Sequence, residues 1–295
     1  MLTVFGIPKP FTDHLIPIQT NAVSSWARLG PSCEVLLLGN EPGTAELAAK
    51  LRIRHLGDVE RNAHGTPLLS SILSRAEATA RHAILCYVNA DIILLPGVLE
   101  SAQRVWTKIG PSLIIGRRWD VELRDCWNFD TDDSAQRLAA FVRARGRPHN
   151  RHAMDYFVFP RGLWPDVPPF GIGRTFWDNW LVSQALAQQV PVVDASAVIL
   201  AIHQNHDYGH VAGGTHGAWH GAEAQENLAL LGGLDRIADL RDVTWVMTPT
   251  TLRPARGVGH RVRRWSREHR VGGPLQHAKR ALQAFGRRWQ MARPS

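Results

Sequence analysis

Short apolar segments alternate along the chain with longer segments whose apolar residues recur at helical spacing. The segments that we predict to be strands are 2–7, 34–38, 83–88, 113–116, 155–159 and 198–203. Those that we predict to be helices are 14–29, 44–51, 66–80, 97–107, 134–145, 175–188 and 222–232, with Thr66 and Thr175 as N-caps. Several predicted strands are apolar at consecutive positions, as strands buried on both faces are. This alternation predicts an α/β domain whose mostly parallel sheet is covered by helices.

Positive charge is concentrated near the C-terminal end of the sequence. The formal net charge is +8 at pH 7, but residues 251–295 contain twelve of the 34 Lys and Arg residues and one of the 26 Asp and Glu residues, Glu268. Residues 1–250 therefore carry a small excess of acids. We predict a globular domain over 1–250 and a basic tail over 251–295, so any attraction to polyanions concerns the tail alone.

Apolar residues also recur at helical spacing within the tail, with Lys and Arg between them: Leu275, Ala278, Leu282, Phe285 and Trp289. A basic amphipathic helix of this kind suits the anionic cytoplasmic face of a membrane. The alternative is a solvated terminus without a partner. Nucleic-acid binding is not predicted, because the tail has no recognisable nucleic-acid-binding fold and few aromatic residues.

Three further features of the sequence bear on location. No apolar run approaches the roughly 18 residues that a membrane-spanning helix needs. The first residues are typical of a strand and not of a signal peptide. The three cysteines, Cys33, Cys86 and Cys126, are widely spaced, which favours a reducing compartment over a disulfide framework. The expected location is the cytoplasm, with a peripheral position on the inner face of the cytoplasmic membrane if the tail binds there.

The most informative segment is the third predicted strand and the residues that follow it. Apolar residues 83–88 lead into Asn89, Ala90 and Asp91, and the apolar run then resumes. A carboxylate at the exit of a central strand lies at the carboxyl edge of the sheet, where ligands of open α/β sheets bind. Asp91 can there coordinate a hard divalent cation that bridges two phosphate oxygens. The alternative is a strand-end acid in a turn.

This segment resembles the Asp-x-Asp motif of glycosyltransferases of the GT-A fold, written here as Asn89-Ala90-Asp91. The resemblance implies a GT-A-like, Rossmann-type sheet, and transfer of a sugar from a nucleotide-sugar donor to a hydroxyl of a glycan or lipid-linked glycan. It also implies Mn²⁺ or Mg²⁺ as cofactor and a role in polysaccharide or surface-glycan synthesis. Asn89 departs from the motif because an amide brings no negative charge to a metal, which leaves a metal-independent variant open.

The resemblance further implies a set of donor-binding residues outside the strand that precedes Asp91. Gly6, Ile7 and Pro8 lie at the end of the first predicted strand and just after it. Asn40 follows the second predicted strand, and Arg61 lies in the loop before the predicted helix 66–80. The motif residues Asn89, Ala90 and Asp91 complete the set. A dinucleotide-binding fold is not expected, because the first strand lacks the glycine-rich turn that such folds use.

Two acids in the second half of the chain are candidate bases. The resemblance implies that Asp178 contacts the acceptor hydroxyl and, in an inverting enzyme, accepts its proton. Asp155, at the start of an aromatic strand, is the second candidate, and Trp177 is a candidate for stacking on an acceptor sugar. The alternatives are a helix-terminus acid for Asp178 and a core position for Trp177. Arg117 and Arg118 follow another predicted strand and are candidates for contacting donor phosphates or an anionic sugar, with a solvated strand end as the alternative.

Histidines are dense between 203 and 220, where the sequence contains five. The resemblance implies that a histidine after the last core strand completes the metal site, so His203 and His206 are candidate ligands beside Asp91. Two rival hypotheses stay open. One is a zinc-dependent hydrolase built on His203, His206 and His210. The other is a non-catalytic GT-A-like binding protein in which Asn89 has disabled the site.

Overall fold

A nine-stranded mixed sheet forms the centre of the computed structural model of the protein, which describes residues 1–12, 14–206, 214–257, 259–260 and 262–263. The strands are β1 (Leu2–Gly6), β2 (Cys33–Leu38), β3 (Arg54–Leu56), β4 (Ile84–Val88), β5 (Ile92–Leu94), β6 (Leu113–Ile115), β7 (Arg118–Val121), β8 (Arg147–Pro148), β9 (Tyr156–Pro160), β10 (Val192–Asp194), β11 (Ala201–Gln204), β12 (Trp245–Met247) and β13 (Leu252–Pro254). The helices are α1 (Leu15–Ala27), α2 (Thr44–Leu51), α3 (Leu69–Thr79), α4 (Gly97–Ile109), α5 (Ser134–Arg145), α6 (Trp177–Ala187), α7 (Gly214–His220) and α8 (Ala222–Leu231).

The strands belong to two sheets. The large sheet has the order β13-β12-β10-β6-β9-β4-β1-β2-β3, and a second sheet of four strands has the order β5-β11-β7-β8. Most neighbours in the large sheet are parallel, whereas β9 runs antiparallel to β4 and β6, and β13 antiparallel to β12. The predicted α/β class with a mostly parallel sheet between helices is confirmed.

Helices on both faces of the large sheet explain the continuous apolar strands. Along β1, Val4 belongs to one core cluster and Phe5 to the other, and Cys86 and Tyr87 divide in the same way along β4. All four side chains are almost fully buried. Because successive side chains of a strand point to opposite faces, a strand covered on both faces must be apolar at every position.

Two predicted helix starts are wrong. Helix α3 begins at Leu69, because Pro67 forms a β-bridge with Arg61 and holds the preceding residues extended. Helix α6 begins at Trp177, and its N-cap is Phe176 with φ +83°. Neither helix has a side-chain cap, so Thr66 and Thr175 are not the N-caps that the sequence predicts.

The C-terminal region was predicted to separate from the domain at residue 251. The chain divides into the units Met1–Ala255 and Arg256–Ser295. The division comes after β13, which pairs with β12 and so belongs to the first unit. The predicted amphipathic helix at 275–289 lies outside the described residues. Among the helices that the structure describes, none is both long enough and apolar enough to cross a bilayer.

Candidate active site

Asp91 lies where the chain passes from the large sheet to the small one, between β4 and β5. In the small sheet β11 pairs antiparallel with β5 and parallel with β7, and this register places His203 opposite both Ile92 and Asp120. His206 follows β11 closely. Strand pairing therefore brings residues that are far apart in the sequence to the carboxyl end of β4.

Three candidate ligands meet at this point. The ligand atoms of Asp91, His203 and His206, called the metal-site cluster below, lie within 4.8 Å of one another. His206 Nε2 is 3.0 Å from Asp91 Oδ2, and Lys9 Nζ is 3.9 Å from the same oxygen. Asp91 Oδ1 is buried and has no hydrogen-bond partner among the described residues. A buried, unpaired carboxylate oxygen beside two imidazoles fits a divalent cation, because a metal–oxygen bond would satisfy it.

The surroundings of Asp91 favour its charged form. Burial opposes ionisation, but the hydrogen bond from His206 and the nearby His203 and Lys9 outweigh it and hold the pKa of Asp91 well below its usual range. Asp91 is therefore a carboxylate at any physiological pH, which is the form that binds a cation.

Asp120 links the metal-site cluster to a second set of charged groups. Its Oδ1 lies 3.2 Å from His203 Nδ1, without the alignment of a hydrogen bond, and accepts from Arg118 Nε at 2.9 Å. Its Oδ2 lies 2.5 Å from His149 Nδ1. Burial opposes its ionisation, yet His203, His149 and Arg118 together hold the pKa of Asp120 below its ordinary value. Asp120 thus faces His203 as a carboxylate.

Asn89 is engaged away from the metal-site cluster. Its Nδ2 donates to Asp155 Oδ1 at 2.8 Å, and its Oδ1 accepts from the Tyr87 hydroxyl at 3.0 Å. Arg118 Nη1 lies 3.2 Å from both oxygens of Asp155. An acid at position 89 would instead place two carboxylates side by side, so the departure from the Asp-x-Asp pattern has a local electrostatic reason.

The two candidate bases differ in their surroundings. Asp155 already accepts hydrogen bonds from Asn89 and Arg118, which leaves it poorly placed to take a proton from a substrate. Asp178 lies half-buried in the first turn of α6. Burial, aided by the charges of Asp155 and Asp239, raises the pKa of Asp178 to about 7 although backbone N–H groups oppose the shift. A carboxyl with this pKa can exchange a proton near neutral pH.

Trp177 belongs to the core. Its side chain is 5% exposed, and its ring lies 5.4 Å edge-on from Tyr87 and 5.6 Å from Phe157. With so little of its surface exposed, Trp177 fits a core position and not stacking on an acceptor sugar.

The loop after β1 lies against the metal-site cluster. Gly6 is required there, because a Cβ would collide with the carbonyl oxygen of Val88. Ile7 and Pro8 are buried, and the backbone of Lys9 is held by Gln19, whose Oε1 accepts from Lys9 N at 2.6 Å. The backbone after β1 is thus fixed, which orients the Lys9 side chain toward Asp91.

The other predicted donor residues form a separate group after β2. Arg61 Nη2 donates to Asn40 Oδ1 at 3.2 Å and to Glu41 Oε1 at 2.5 Å. Glu41 Oε2 is buried and has no hydrogen-bond partner within the described part of the chain. Ala90, the middle residue of the Asn89-Ala90-Asp91 motif, is buried. The role of this group in donor binding stays a prediction.

The candidate residues drawn from the sequence assign Lys9 and Asp120 no place at the metal site, yet the structure places both there. Arg118 and Asp120 stand two positions apart on β7, and this spacing was the available signal, because such residues share one face of a strand. His210, which the zinc hypothesis requires, lies outside the described residues.

The chain was compared with known proteins. No protein-family model matches it, and no characterised protein sequence matches it. Among solved structures it is similar to glucosyl-3-phosphoglycerate synthase from Mycobacterium tuberculosis in complex with Mn²⁺, UDP and glucosyl-3-phosphoglycerate, with 16% identity and a TM-score of 0.49 over 89% of this chain and 91% of that one. It is also similar to the mannosyltransferase PcManGT from Pyrobaculum calidifontis in complex with GDP-Man and Mn²⁺, with 12% identity and a TM-score of 0.46 over 70% of this chain and 58% of that one. Likeness at this level does not assign an activity to the chain.

Proposed function

We propose that this protein is a glycosyltransferase that moves a sugar from a nucleotide-sugar donor to a hydroxyl acceptor. The observation that carries the proposal is the metal-site cluster with Lys9 beside it, at the carboxyl end of a central strand. The carboxylate with an unpaired buried oxygen and the two imidazoles suit a cation. The cation and the nearby ammonium group of Lys9 would together suit a diphosphate at this edge of the sheet. The resemblance of Asn89-Ala90-Asp91 to the Asp-x-Asp motif supports the same reading.

Asp91, His203 and His206 would hold the cation. Two imidazoles among three protein ligands favour Mn²⁺ over Mg²⁺, because Mg²⁺ prefers oxygen. Bound there, the cation supplies Lewis-acid assistance to the departing diphosphate. Lys9 adds a positive charge next to the same phosphate oxygens, and the rigid backbone of Gly6, Ile7 and Pro8 holds Lys9 in place.

Asp178 is the residue to which we assign the base. Its raised pKa lets it accept a proton near neutral pH, whereas the carboxylate of Asp155 is occupied by Asn89 and Arg118. In this role the acceptor hydroxyl oxygen bonds to the anomeric carbon while the bond from that carbon to the donor phosphate breaks. The hydroxyl proton passes to Asp178, and the nucleoside diphosphate leaves.

The tail would bring the enzyme to an anionic membrane surface, where a glycan or lipid-linked acceptor is reached. Support comes from the charge of residues 251–295, with twelve Lys and Arg residues against one acid. The test is sedimentation with vesicles that contain phosphatidylglycerol. We expect the full chain to bind and a chain that ends at Ala255 to lose binding, and equal binding of the two would contradict the role of the tail.

The transferase proposal is tested by a thermal-shift screen of nucleotides and nucleotide-sugars with and without Mn²⁺. A specific ligand raises the melting temperature by mass action. We expect one nucleotide class to stabilise the protein only with Mn²⁺, and Asp91→Ala to abolish this effect. Asp132→Ala is the matched control, because Asp132 is exposed and distant in sequence from the metal-site cluster.

Three outcomes would contradict this proposal. If a nucleotide still stabilises the Asp91→Ala protein, a cation held by Asp91 takes no part in donor binding. Tight Zn²⁺ in the purified protein, together with no response to any nucleotide, would favour the zinc-dependent hydrolase instead. Donor binding without any sugar transfer to a panel of hydroxyl acceptors would favour the non-catalytic binding protein.

A further inference from the structure

We propose that the acceptor of this enzyme carries a phosphate group, which Arg145 and Arg147 bind in a cleft beside the metal-site cluster. The proposal rests on the transferase function and adds the chemical class of its second substrate. It comes from a cleft of about 460 Å³, a size typical of small-molecule sites. The cleft is lined by residues from β7, α5, β8 and the end of β11: Asp120, Glu122, Phe141, Arg145, Arg147 and Asn205.

The cleft adjoins the place where chemistry is proposed. Asp120 forms part of its wall and also lies 3.2 Å from His203 Nδ1. Asn205 forms another part and stands between His203 and His206 in the chain. Lys9 contacts the metal-site cluster through Asp91, whereas the cleft contacts it through His203. The donor loop and the cleft therefore approach the same cluster through different ligands, which suits separate donor and acceptor sites.

The charges in the cleft leave the two arginines available to a ligand. Neither Arg145 nor Arg147 has a side-chain ion pair or hydrogen bond within the portion of the chain that the structure describes, and both are exposed. The acids of the cleft are already engaged. Asp120 is held by Arg118 and His149. Glu122 accepts from Asn205 Nδ2 at 2.9 Å.

Glycine between the arginines explains their joint position. A Cβ at Gly146 would lie 2.7 Å from the carbonyl oxygen of Val142 and 3.1 Å from that of Asp120. Gly146 therefore lets the end of α5 pack directly against β7, and this contact places Arg145 and Arg147 on either side of the turn next to Asp120. The two guanidinium groups line the same cleft. Each guanidinium can donate two parallel hydrogen bonds to the oxygens of one phosphate.

The remaining wall suits the rest of such a molecule. Phe141 is half-buried and offers an apolar surface to the C–H groups of a sugar or a short carbon chain. A phosphate held at Arg145 and Arg147 would leave the body of the acceptor between the arginines and the metal-site cluster. The hydroxyl that attacks then belongs to the part of the acceptor nearest His203.

The test is calorimetric titration of the full chain with two matched probe pairs, glucose 6-phosphate against glucose and glycerol 3-phosphate against glycerol. The variants are Arg145→Gln/Arg147→Gln and, as control, Arg143→Gln. Arg143 lies on the same helix, is exposed and does not line the cleft. We expect at least one phosphorylated probe to bind the wild-type chain and Arg143→Gln equally, and to bind the double variant about 10-fold to 100-fold more weakly. The neutral probes should bind none of the three measurably.

A short-chain lipid that stays monomeric, dihexanoyl phosphatidic acid, is titrated into the same chains to distinguish a lipid-linked phosphate from a soluble one. A monomeric lipid is used because the tail is itself proposed to bind vesicles. Binding of this lipid that is tighter than that of glycerol 3-phosphate, and that is lost in the double variant but not in Arg143→Gln, would assign the phosphate to a lipid. Lipid binding no tighter than that of glycerol 3-phosphate, with loss of the soluble probe in the double variant, assigns it to a small molecule. Either result supports the cleft as a phosphate site.

Three results would overturn the proposal. They are that neither a phosphorylated probe nor the monomeric lipid binds the wild-type chain, that Arg143→Gln loses as much affinity as the double variant, or that a neutral probe binds as well as its phosphorylated partner. Nucleotide binding with Mn²⁺ is measured on each chain in parallel. If the double variant keeps Mn²⁺-dependent nucleotide binding while the phosphate result fails, the acceptor class is wrong and the transferase function stands. If Mn²⁺-dependent nucleotide binding is absent from the wild-type chain, the transferase function itself fails.

Discussion

Asp120 Oδ1 faces His203 Nδ1 across 3.2 Å, from the neighbouring strand of the small sheet. A carboxylate at this nitrogen favours the tautomer that holds its proton on Nδ1, which leaves the lone pair of Nε2 for a metal. Under the proposed function, Asp120 therefore positions His203 for the metal. Arg118 and His149 in turn hold the carboxylate of Asp120 in place.

Asp120→Asn should weaken Mn²⁺ binding by about 10-fold to 100-fold, because an amide can present its donor to Nδ1 and favour the wrong tautomer. The measurement is the signal of free Mn²⁺ in electron paramagnetic resonance titrations, which needs no substrate. Asp132→Asn is the control. An unchanged Mn²⁺ affinity in a folded Asp120→Asn protein would remove this role from Asp120.

Asn89→Asp restores the Asp-x-Asp pattern in sequence, yet we expect it to harm the protein. The new carboxylate would replace an amide that donates to Asp155 at 2.8 Å, so a hydrogen bond becomes a repulsion between like charges. The free energy of unfolding in urea at pH 8 should fall by about 1–3 kcal/mol. Asn89→Ser, which removes the amide without adding charge, should cost less. A stable Asn89→Asp protein with tighter Mn²⁺ binding would show that position 89 reaches the metal.

Much of the fold follows from apolar runs alone. β1, β2, β4 and β9 are long and buried on both faces, so each stands out in the sequence. In the small sheet only β11 overlaps a predicted strand, 198–203. β5, β7 and β8 were not predicted, because they have between two and four residues each. Strands this short are defined by their partners, and their pairing joins residues near 92, 120 and 203 that no local pattern connects.

Sugar transfer should depend on pH through Asp178. Its pKa of about 7 means that the proton-accepting form grows as pH rises through neutrality, so kcat should rise between about pH 6 and 8. Asp178→Asn should lower kcat by about 100-fold to 10,000-fold and leave nucleotide binding with Mn²⁺ intact. Full activity of Asp178→Asn would return the assignment of the base to Asp155.

Asp178 also predicts how stability depends on pH. The native protein keeps this proton up to about pH 7, whereas the unfolded chain releases it near the usual pKa of an aspartate. The unfolded state therefore binds fewer protons in this interval, and the contribution of Asp178 to stability decreases as pH rises from about 4 to 7. Asp178→Asn should be more stable than wild type at pH 8 and equal to it near pH 4. Urea denaturation at both pH values checks this, and a loss of stability at pH 8 would show that burial does not oppose the charge.

Gly6→Ala tests how tightly the loop after β1 is held. A methyl group at position 6 would collide with the Val88 carbonyl and approach the Trp26 ring to 3.0 Å. We expect a loss of about 1–3 kcal/mol of stability and weaker nucleotide binding. Gly57→Ala is the matched control, because its Cβ would meet only ordinary contacts from 3.7 Å outwards. Equal effects of the two substitutions would mean that the approach of Gly6 to β4 is not required.

The site was only partly predictable, for the same reason as the small sheet. Asp91, His203 and His206 could be chosen from a strand-end acid and a local excess of histidine. Asn89 was visible as a departure from the motif, but its reason, Asp155, lies 66 positions away. Side chains whose partners are distant in the sequence show their role only when the sheets assemble.

The chain leaves β7 and returns at β8 through an excursion over residues 122–148, which includes α5. This excursion supplies Glu122, Phe141 and both cleft arginines, yet none of the members of the metal-site cluster. If the cleft arginines bind the acceptor as proposed, relatives that differ in this stretch would recognise different acceptors while they activate the donor in the same way. Exchanging the excursion between such relatives would then change the product.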